Sequence, residues 1–238
     1  MSVGEIISDA LAYPFSNIKA LVLYVILSII AAFLGGASLL GMIGALNSKG
    51  LGAVAFTGFG IVGVVIFVLV LFLIQGYALD IIKFGIERRN DSPGIDIARQ
   101  IANAIKLVVV DIVYYIIPVI VTFVLALFLR NWLITIIGII LFIVFALANF
   151  MAKCRLAKSD NLGEALAIGE AIGDISRVGI GKLLAVIILI AIIIVVISII
   201  IAFLASLNDI LGSIILGIAS VYIVFFYNRA IGLLYSDA

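Results

Sequence analysis

Six long apolar runs dominate this sequence, and each is long enough to cross a lipid bilayer as a helix. A hydrocarbon core of roughly 30 Å needs about 20 helical residues at a rise of about 1.5 Å each. The stretch Val186–Ile201 is apolar except for Ser198, so the runs lack the alternation of membrane β-strands. The predicted spans are Ile18–Leu40, Ile61–Phe84, Leu107–Leu129, Trp132–Met151, Leu183–Ala205 and Ile210–Leu234. The predicted fold class is all-α, a polytopic integral membrane bundle of six transmembrane helices.

Composition excludes several classes of protein. Apolar residues make up 66% of the chain, far above the roughly 45–50% of soluble domains, so a soluble single domain is excluded. The chain has no histidine and one cysteine, Cys154, which removes imidazole catalysis and His/Cys metal sites. The sequence has no basic block typical of nucleic-acid binding. We therefore expect a non-enzymatic protein with no cofactor, no metal and no nucleic-acid partner.

The basic residues are distributed unequally about the spans. All but two of the 14 fall on one side of the folded path, and the two exceptions are Lys49 and Arg130. The others are Lys19, Lys83, Arg88, Arg89, Arg99, Lys106, Lys153, Arg155, Lys158, Arg177, Lys182 and Arg229. Positive charge concentrates on the cytoplasmic side of membrane proteins. The sequence thus predicts a multi-pass protein of the cell membrane with cytoplasmic N- and C-termini.

Three amphipathic stretches lie on the basic side, each before a span. They are Val3–Leu11, Ile95–Lys106 and Leu162–Arg177, where polar residues recur at helical spacing opposite apolar ones. Such helices favour the membrane interface, so we expect cytoplasmic interfacial amphipathic helices. The order of interfacial helix, span, outer turn and returning span occurs three times, which indicates three helical-hairpin repeats in a ring-like arrangement.

The chain is predicted to form one membrane domain over residues 1–238. Its parts are 1–60 (first span and outer connection), 61–106 (second span and amphipathic segment), 107–182 (hairpin and amphipathic segment) and 183–238 (C-terminal hairpin). The first outer connection, Gly41–Gly60, is Gly-rich and is expected to be long, flexible or re-entrant, with a turn at Asn47–Gly50. The outer turns of the other hairpins, Leu129–Trp132 and Ser206–Asp209, are expected to be tight.

Short motifs flank the second and third spans. They are Gly76-Tyr77, Ile81-Ile82-Lys83, Pro93, Ala104-Ile105-Lys106, Tyr115 and Pro118, with Tyr13-Pro14-Phe15-Ser16 ahead of the first span. In these motifs the chain resembles an archaeal membrane-protein family catalogued as domain of unknown function 4013. The resemblance implies a membrane protein and supplies no activity.

Polar side chains near the basic ends of the spans are the candidates for a functional site, because such groups are costly inside a bilayer. The candidate polar cluster is Asp80, Lys83, Asp111, Asn149 and Arg229. One interpretation places these residues on the wall of a vestibule open to the cytoplasm, with Gln75 deeper in the membrane. The favoured alternative is structural: Asp80 pairs with Lys83, and Asp111 and Arg229 pair with each other or reach the interface.

The leading functional hypothesis is a non-enzymatic scaffold, lipid-associated or accessory protein of the membrane. Its expected partners are membrane lipids, together with either a protein partner or a second copy of the chain. The alternative is a small-solute or lipid transporter that uses the cytoplasm-facing polar cluster. An enzyme acting on lipid head groups is disfavoured, because two aspartates are too few for a catalytic or metal-binding cluster.

Overall fold

The protein is a bundle of helices. The computed structural model describes residues 1–46, 51–129 and 132–238, and their side chains except those of 35–46, 51–59, 209–211 and 213. The chain is 89% helical, and the described ranges contain no strand. The prediction of an all-α fold is confirmed.

The helices follow one another with short connections. They are α1 (Val3–Ser16), α2 (Ile18–Leu46), α3 (Leu51–Ile86), α4 (Ile97–Phe128), α5 (Trp132–Ser159), α6 (Leu162–Ala165), α7 (Ile168–Val178), α8 (Ile180–Leu207) and α9 (Asp209–Tyr235). Gly179, between α7 and α8, has φ of +93°, a left-handed conformation that glycine adopts without steric cost.

Among the described residues, five helical segments are long and apolar enough to cross a membrane. They are Gly60–Ile86, Ile97–Phe128, Trp132–Ser159, Ile180–Leu207 and Ile214–Tyr235. The first predicted span lies in α2, whose residues 18–34 meet the same test only together with α1. These two helices are bent by 75°, and the side-chain amide of Asn17 at the bend donates to the carbonyl of Tyr13 at 3.1 Å. The polytopic bundle is confirmed, with five spans, or six if the bent pair is counted.

The first outer connection is shorter than predicted. We expected irregular backbone over Gly41–Gly60, but α2 continues to Leu46 and α3 begins at Leu51. A helix satisfies its own backbone hydrogen bonds in an apolar medium, and this outweighs the helix cost of about 1 kcal/mol per glycine. The predicted turn at Asn47–Gly50 lies outside the described residues, as do Arg130 and Asn131 of the second outer turn.

The amphipathic stretch Ile95–Lys106 also differs from the prediction, because it is not a separate helix. It forms the first turns of α4, where the Asp96 carboxylate accepts the backbone N–H of Arg99 at 3.0 Å. Gln100 and Asn103 are buried, whereas Ile97 is exposed. Two polar side chains of this segment therefore face the bundle, where Gln100 accepts a hydrogen bond from Tyr24 and Asn103 donates one to Asp80, while the apolar Ile97 faces outward.

The packing has a cyclic order. Three helical hairpins, α2/α3, α4/α5 and α8/α9, form the bundle. We call the second helix of each hairpin its returning helix, and the returning helices α3, α5 and α9 contact one another. Each hairpin begins with, or is preceded by, a segment of the chain that packs on the second helix of the previous hairpin in the cycle. Thus α4 packs on α3, α7 packs on α5, and α1 packs on α9, which closes the cycle.

Candidate functional site

Charged side chains concentrate where α3, α5 and α9 end. We call this end of the bundle, which carries Asp80, Arg155 and Arg229, the charged end. At each of the three positions an ion pair joins a returning helix to the segment that precedes the next hairpin in the cycle. The pairs are Asp80 with Arg99 at 3.0 Å, Arg155 with Asp174 at 3.2 Å, and Arg229 with Asp9 at 2.7 Å. We call these pairs the three links.

The first link includes two of the predicted candidates. Asp80 is 8% exposed and accepts hydrogen bonds from Arg99 at 3.0 Å and from the Asn103 amide at 3.2 Å. We expected Lys83 as its partner, but among the described side chains Lys83 forms no ion pair. Lys83 lies exposed on the wall of a polar cavity of about 360 Å³, which Asp80, Arg99 and Glu87 also line.

The second link centres on a buried carboxylate that sequence analysis did not single out as a candidate. Asp174 is 1% exposed and accepts from Arg155 at 3.2 Å, from Arg177 at 2.6 Å and from the Tyr235 hydroxyl at 2.7 Å. The hydrogen bond that Arg177 donates to Asp174 raises the pKa of Arg177 above its ordinary value, so this guanidinium stays charged. Asp174 and Glu170 recur at a spacing of four, as do Asp9 and Glu5, and this shared spacing is the signal that could have identified them.

The third link places Arg229 in the interior of the charged end, 1% exposed. Its Nε donates to Asp9 at 2.7 Å, and its Nη atoms donate to the carbonyls of Phe84 and Arg89 at 3.3 and 2.5 Å and to Asn90 at 2.8 Å. The guanidinium therefore donates to the Phe84 carbonyl near the C-terminal end of α3, which also accepts the backbone N–H of Arg89 at 2.9 Å, and to the Arg89 carbonyl in the connection after the helix. Arg229 has a full set of structural partners.

Asp111 and Asn149 form a separate group on α4 and α5. The Asp111 carboxylate accepts from the Asn149 amide at 2.9 Å and pairs with Lys153 at 2.8 Å. The alternative pairing of Asp111 with Arg229 is therefore not the one observed. The five candidates fall into three groups, Asp80 with Lys83, Asp111 with Asn149, and Arg229 alone, and not into one cluster.

The described side chains offer little for metal or covalent chemistry. No group of three or more His, Cys, Asp or Glu residues that could hold a metal ion occurs among them. Cys154 is fully buried, and its sulfur lies 3.9 Å from the carbonyl oxygen of Ile231. Burial keeps this thiol away from reagents in solution.

An apolar cavity of about 590 Å³ lies among α2, α3 and α9, within the membrane-spanning part of the bundle. Its described lining is Ser28, Ile29, Ala31, Ala32, Phe33, Phe67, Val70, Leu71, Ile74, Gln75, Ile214, Leu216, Gly217, Ser220, Val221 and Val224. Sequence analysis identified only Gln75 in this region. The cavity could not be predicted, because it depends on how side chains from three helices meet.

These features define a polytopic helical membrane protein whose charged end is held by ion pairs and whose spans enclose an apolar cavity. Residues 59–206 match a family model described as "Protein of unknown function (DUF4013)", and the chain belongs to this family. The resemblance noted from the sequence motifs is thereby confirmed as to family. Comparisons with curated proteins and with solved structures find no match.

Proposed function

We propose that this protein is a non-enzymatic integral membrane protein that binds a membrane lipid in the apolar cavity among α2, α3 and α9. The cavity carries the proposal. Its volume of about 590 Å³ lies within the roughly 300–1,000 Å³ of ligand sites, and such sites are mostly apolar with a few polar groups. Its position in the spans makes lipid the molecule with direct access to it.

The three links support a structural role for the charged end. Asp174 and Arg229 are each 1% exposed and have several partners, so their charges are used to hold the helices together. A catalytic acid or base needs a group that can reach a substrate. We propose a non-enzymatic protein because the hydrogen-bonding groups of these two side chains are already occupied by structural partners.

We also propose that the charged end faces the cytoplasm of a cell membrane. The basic residues of the described helices cluster at this end, as the positive-inside rule requires of a cytoplasmic side. In this orientation α1 and α7 lie at the cytoplasmic leaflet, where α7 exposes Arg177 and Glu170 and buries Ala171 and Ile175. Labelling of single cysteines placed at Glu170 and Lys19 from either side of the membrane tests this orientation.

The lipid proposal is tested by filling the cavity. Ala32 lines the cavity, so Ala32→Phe should block it without adding charge. Ala191 in α8 is also exposed in a span, and Ala191→Phe is the matched control. The purified proteins are compared in native-membrane nanodiscs by quantitative lipid mass spectrometry. We expect one lipid to be enriched with the wild type and the control and to be lost with Ala32→Phe.

Identical bulk-lipid profiles for all three proteins would contradict the proposal. If the same samples instead contain one protein partner repeatedly, the result favours a scaffold or accessory role. A change of assembly state that accompanies loss of the lipid would indicate that a second copy of the chain contributes to the site.

The polar cavity at the charged end favours a second candidate function, a transporter of small solutes. Lys83 lies on its wall with no ion pair among the described residues, next to the buried Asp80. Inorganic phosphate should then raise the melting temperature of the wild type but not of Lys83→Gln. The control is Lys19→Gln, which removes an exposed lysine outside the cavity. An equal response of all three proteins to phosphate argues against this function.

A further inference from the structure

Gln75 places an amide in the middle of a membrane-spanning helix. It lies 15 residues after Gly60 and 11 residues before Ile86, the two ends of this span, so about 22 Å and about 17 Å of helix lie on either side of it, and Asp80 is about 8 Å away along the helix. The side chain is exposed on the cavity wall. Within the described part of the chain, the Gln75 amide has no hydrogen-bond partner. An amide without a hydrogen-bond partner is costly in an apolar medium, and a ligand bound in the cavity would provide that partner.

The other polar atoms of the cavity wall are weakly polar and uncharged. The hydroxyls of Ser28 and Ser220 donate to carbonyls of their own helices, those of Val25 at 2.8 Å and Gly217 at 2.9 Å. Their oxygens remain available as acceptors. None of the described residues that line the cavity is charged. A phosphate or ammonium head group would lose its hydration there without a counter-charge, and this excludes it from the cavity.

The depth of Gln75 also separates it from phospholipid head groups. The hydrocarbon core is roughly 30 Å thick, so head groups lie about 15 Å or more from its centre. The polar group that meets Gln75 therefore belongs to a molecule that can lie wholly within the hydrocarbon. A glutamine amide both donates and accepts, which suits a hydroxyl or a carbonyl.

We propose that the occupant of this cavity is a neutral lipid with a small hydroxyl or carbonyl head, held by a hydrogen bond to Gln75, with its apolar chain along α2 and α9. This inference rests on the proposed lipid-binding function and specifies the class of lipid. Gln75 selects the head, and the apolar wall, including Ala32 and Phe67, accommodates the chain.

The test compares two probes that differ only in the head. One is a C16 alcohol that carries a photoreactive diazirine and an alkyne, and the other is the matching hydrocarbon without the hydroxyl. Each is added to the full chain in nanodiscs, and crosslinked peptides of α2, α3 and α9 are quantified. We expect the wild type to be labelled about threefold to tenfold more by the alcohol, the range given by one net hydrogen bond.

Gln75→Leu should reduce this ratio to about one while labelling by the hydrocarbon persists, because only the hydrogen bond has been removed. Ser198→Ala, which removes a polar group from the exposed span α8, should keep the wild-type ratio. A melting temperature is measured for each variant to show that it is folded. Equal labelling of the wild type by both probes, or a wild-type ratio in Gln75→Leu, overturns the inference but leaves lipid binding intact. If neither probe labels these helices, or if Ala32→Phe is labelled like the wild type, the proposed function itself is refuted.

Discussion

Gly76, which among the described glycines lies closest to the backbone of another helix, gives the sharpest stability prediction. Gly76 on α3 faces the backbone of α4, and a Cβ atom at this position would lie 1.8 Å from the Gln100 carbonyl oxygen and 2.4 Å from its carbonyl carbon. Ordinary van der Waals contact begins at 3.4 Å, so Gly76→Ala requires the two helices to separate by about 1.6 Å. Both atoms belong to the backbone, and no side-chain rotation relieves the overlap.

The expected cost follows from this separation. Overpacking a well-packed interior costs about 1–3 kcal/mol, and a backbone contact falls at the upper end. Moving α4 also stretches the hydrogen bond from Tyr24 to Gln100 at 2.8 Å and that from Asn103 to Asp80 at 3.2 Å, each worth about 1 kcal/mol. Alanine has a better helix propensity than glycine, and this offsets about 1 kcal/mol of the cost. Gly76→Ala should therefore lower the free energy of unfolding by about 3–4 kcal/mol.

Equilibrium unfolding by SDS in mixed micelles, followed by far-UV circular dichroism, measures this difference. The matched control is Gly173→Ala in α7, where a Cβ atom meets nothing within 4 Å, and this change should be neutral or slightly stabilising. A free energy of unfolding of Gly76→Ala within about 1 kcal/mol of the wild type would refute the reasoning, since overpacking alone accounts for more.

Three further predictions concern the charged end. Arg229→Lys removes the guanidinium that donates to two carbonyls and to Asn90 and should lower the free energy of unfolding by about 3 kcal/mol in the same SDS titration. A variant as stable as the wild type would count against the third link. Asp174→Ala leaves the Arg155 guanidinium and the buried Tyr235 hydroxyl without their carboxylate partner and should cost about 3 kcal/mol, whereas an unchanged unfolding midpoint would show that Asp174 does not stabilise the bundle. The hydrogen bond from Lys182 holds the pKa of Asp237 below its ordinary value of 3.8, so its contribution is present above that value and is lost as the pH falls through the lowered pKa. Asp237→Asn should therefore melt below the wild type at neutral pH and converge with it in acid; a constant difference at all pH values would contradict this.

Local sequence was sufficient to predict five spans, whereas the first predicted span, in α2, qualifies among the described residues only together with α1. The length and apolar content of a run such as Ile180–Leu207 are properties of consecutive residues, and burial of a helix backbone in lipid follows from them. The concentration of lysine and arginine at one end is likewise visible from their order between the runs. The continuation of α2 and α3 through glycine-rich sequence was missed, because the bilayer rewards intact helices more than glycine penalises them.

The partners of the charged side chains could not be predicted from spacing. Lys83, one turn from Asp80, was the natural expectation, yet Asp80 bonds to Arg99 across the connection between α3 and α4. Arg229 finds Asp9, which lies 220 residues earlier in the chain. Such choices depend on which helix ends are brought together, and this is decided by packing of the whole bundle.

The closure of the cycle by α1 and α9 sets the order in which the bundle can be completed during synthesis. Asp9 is synthesised early, but its partner Arg229 is made only when α9 is translated. Until then, the Arg89 carbonyl also lacks the Arg229 guanidinium that donates to it in the finished protein. Without α9 the cycle stays open, so a chain truncated before this helix keeps an unpaired aspartate, Asp9, at the charged end.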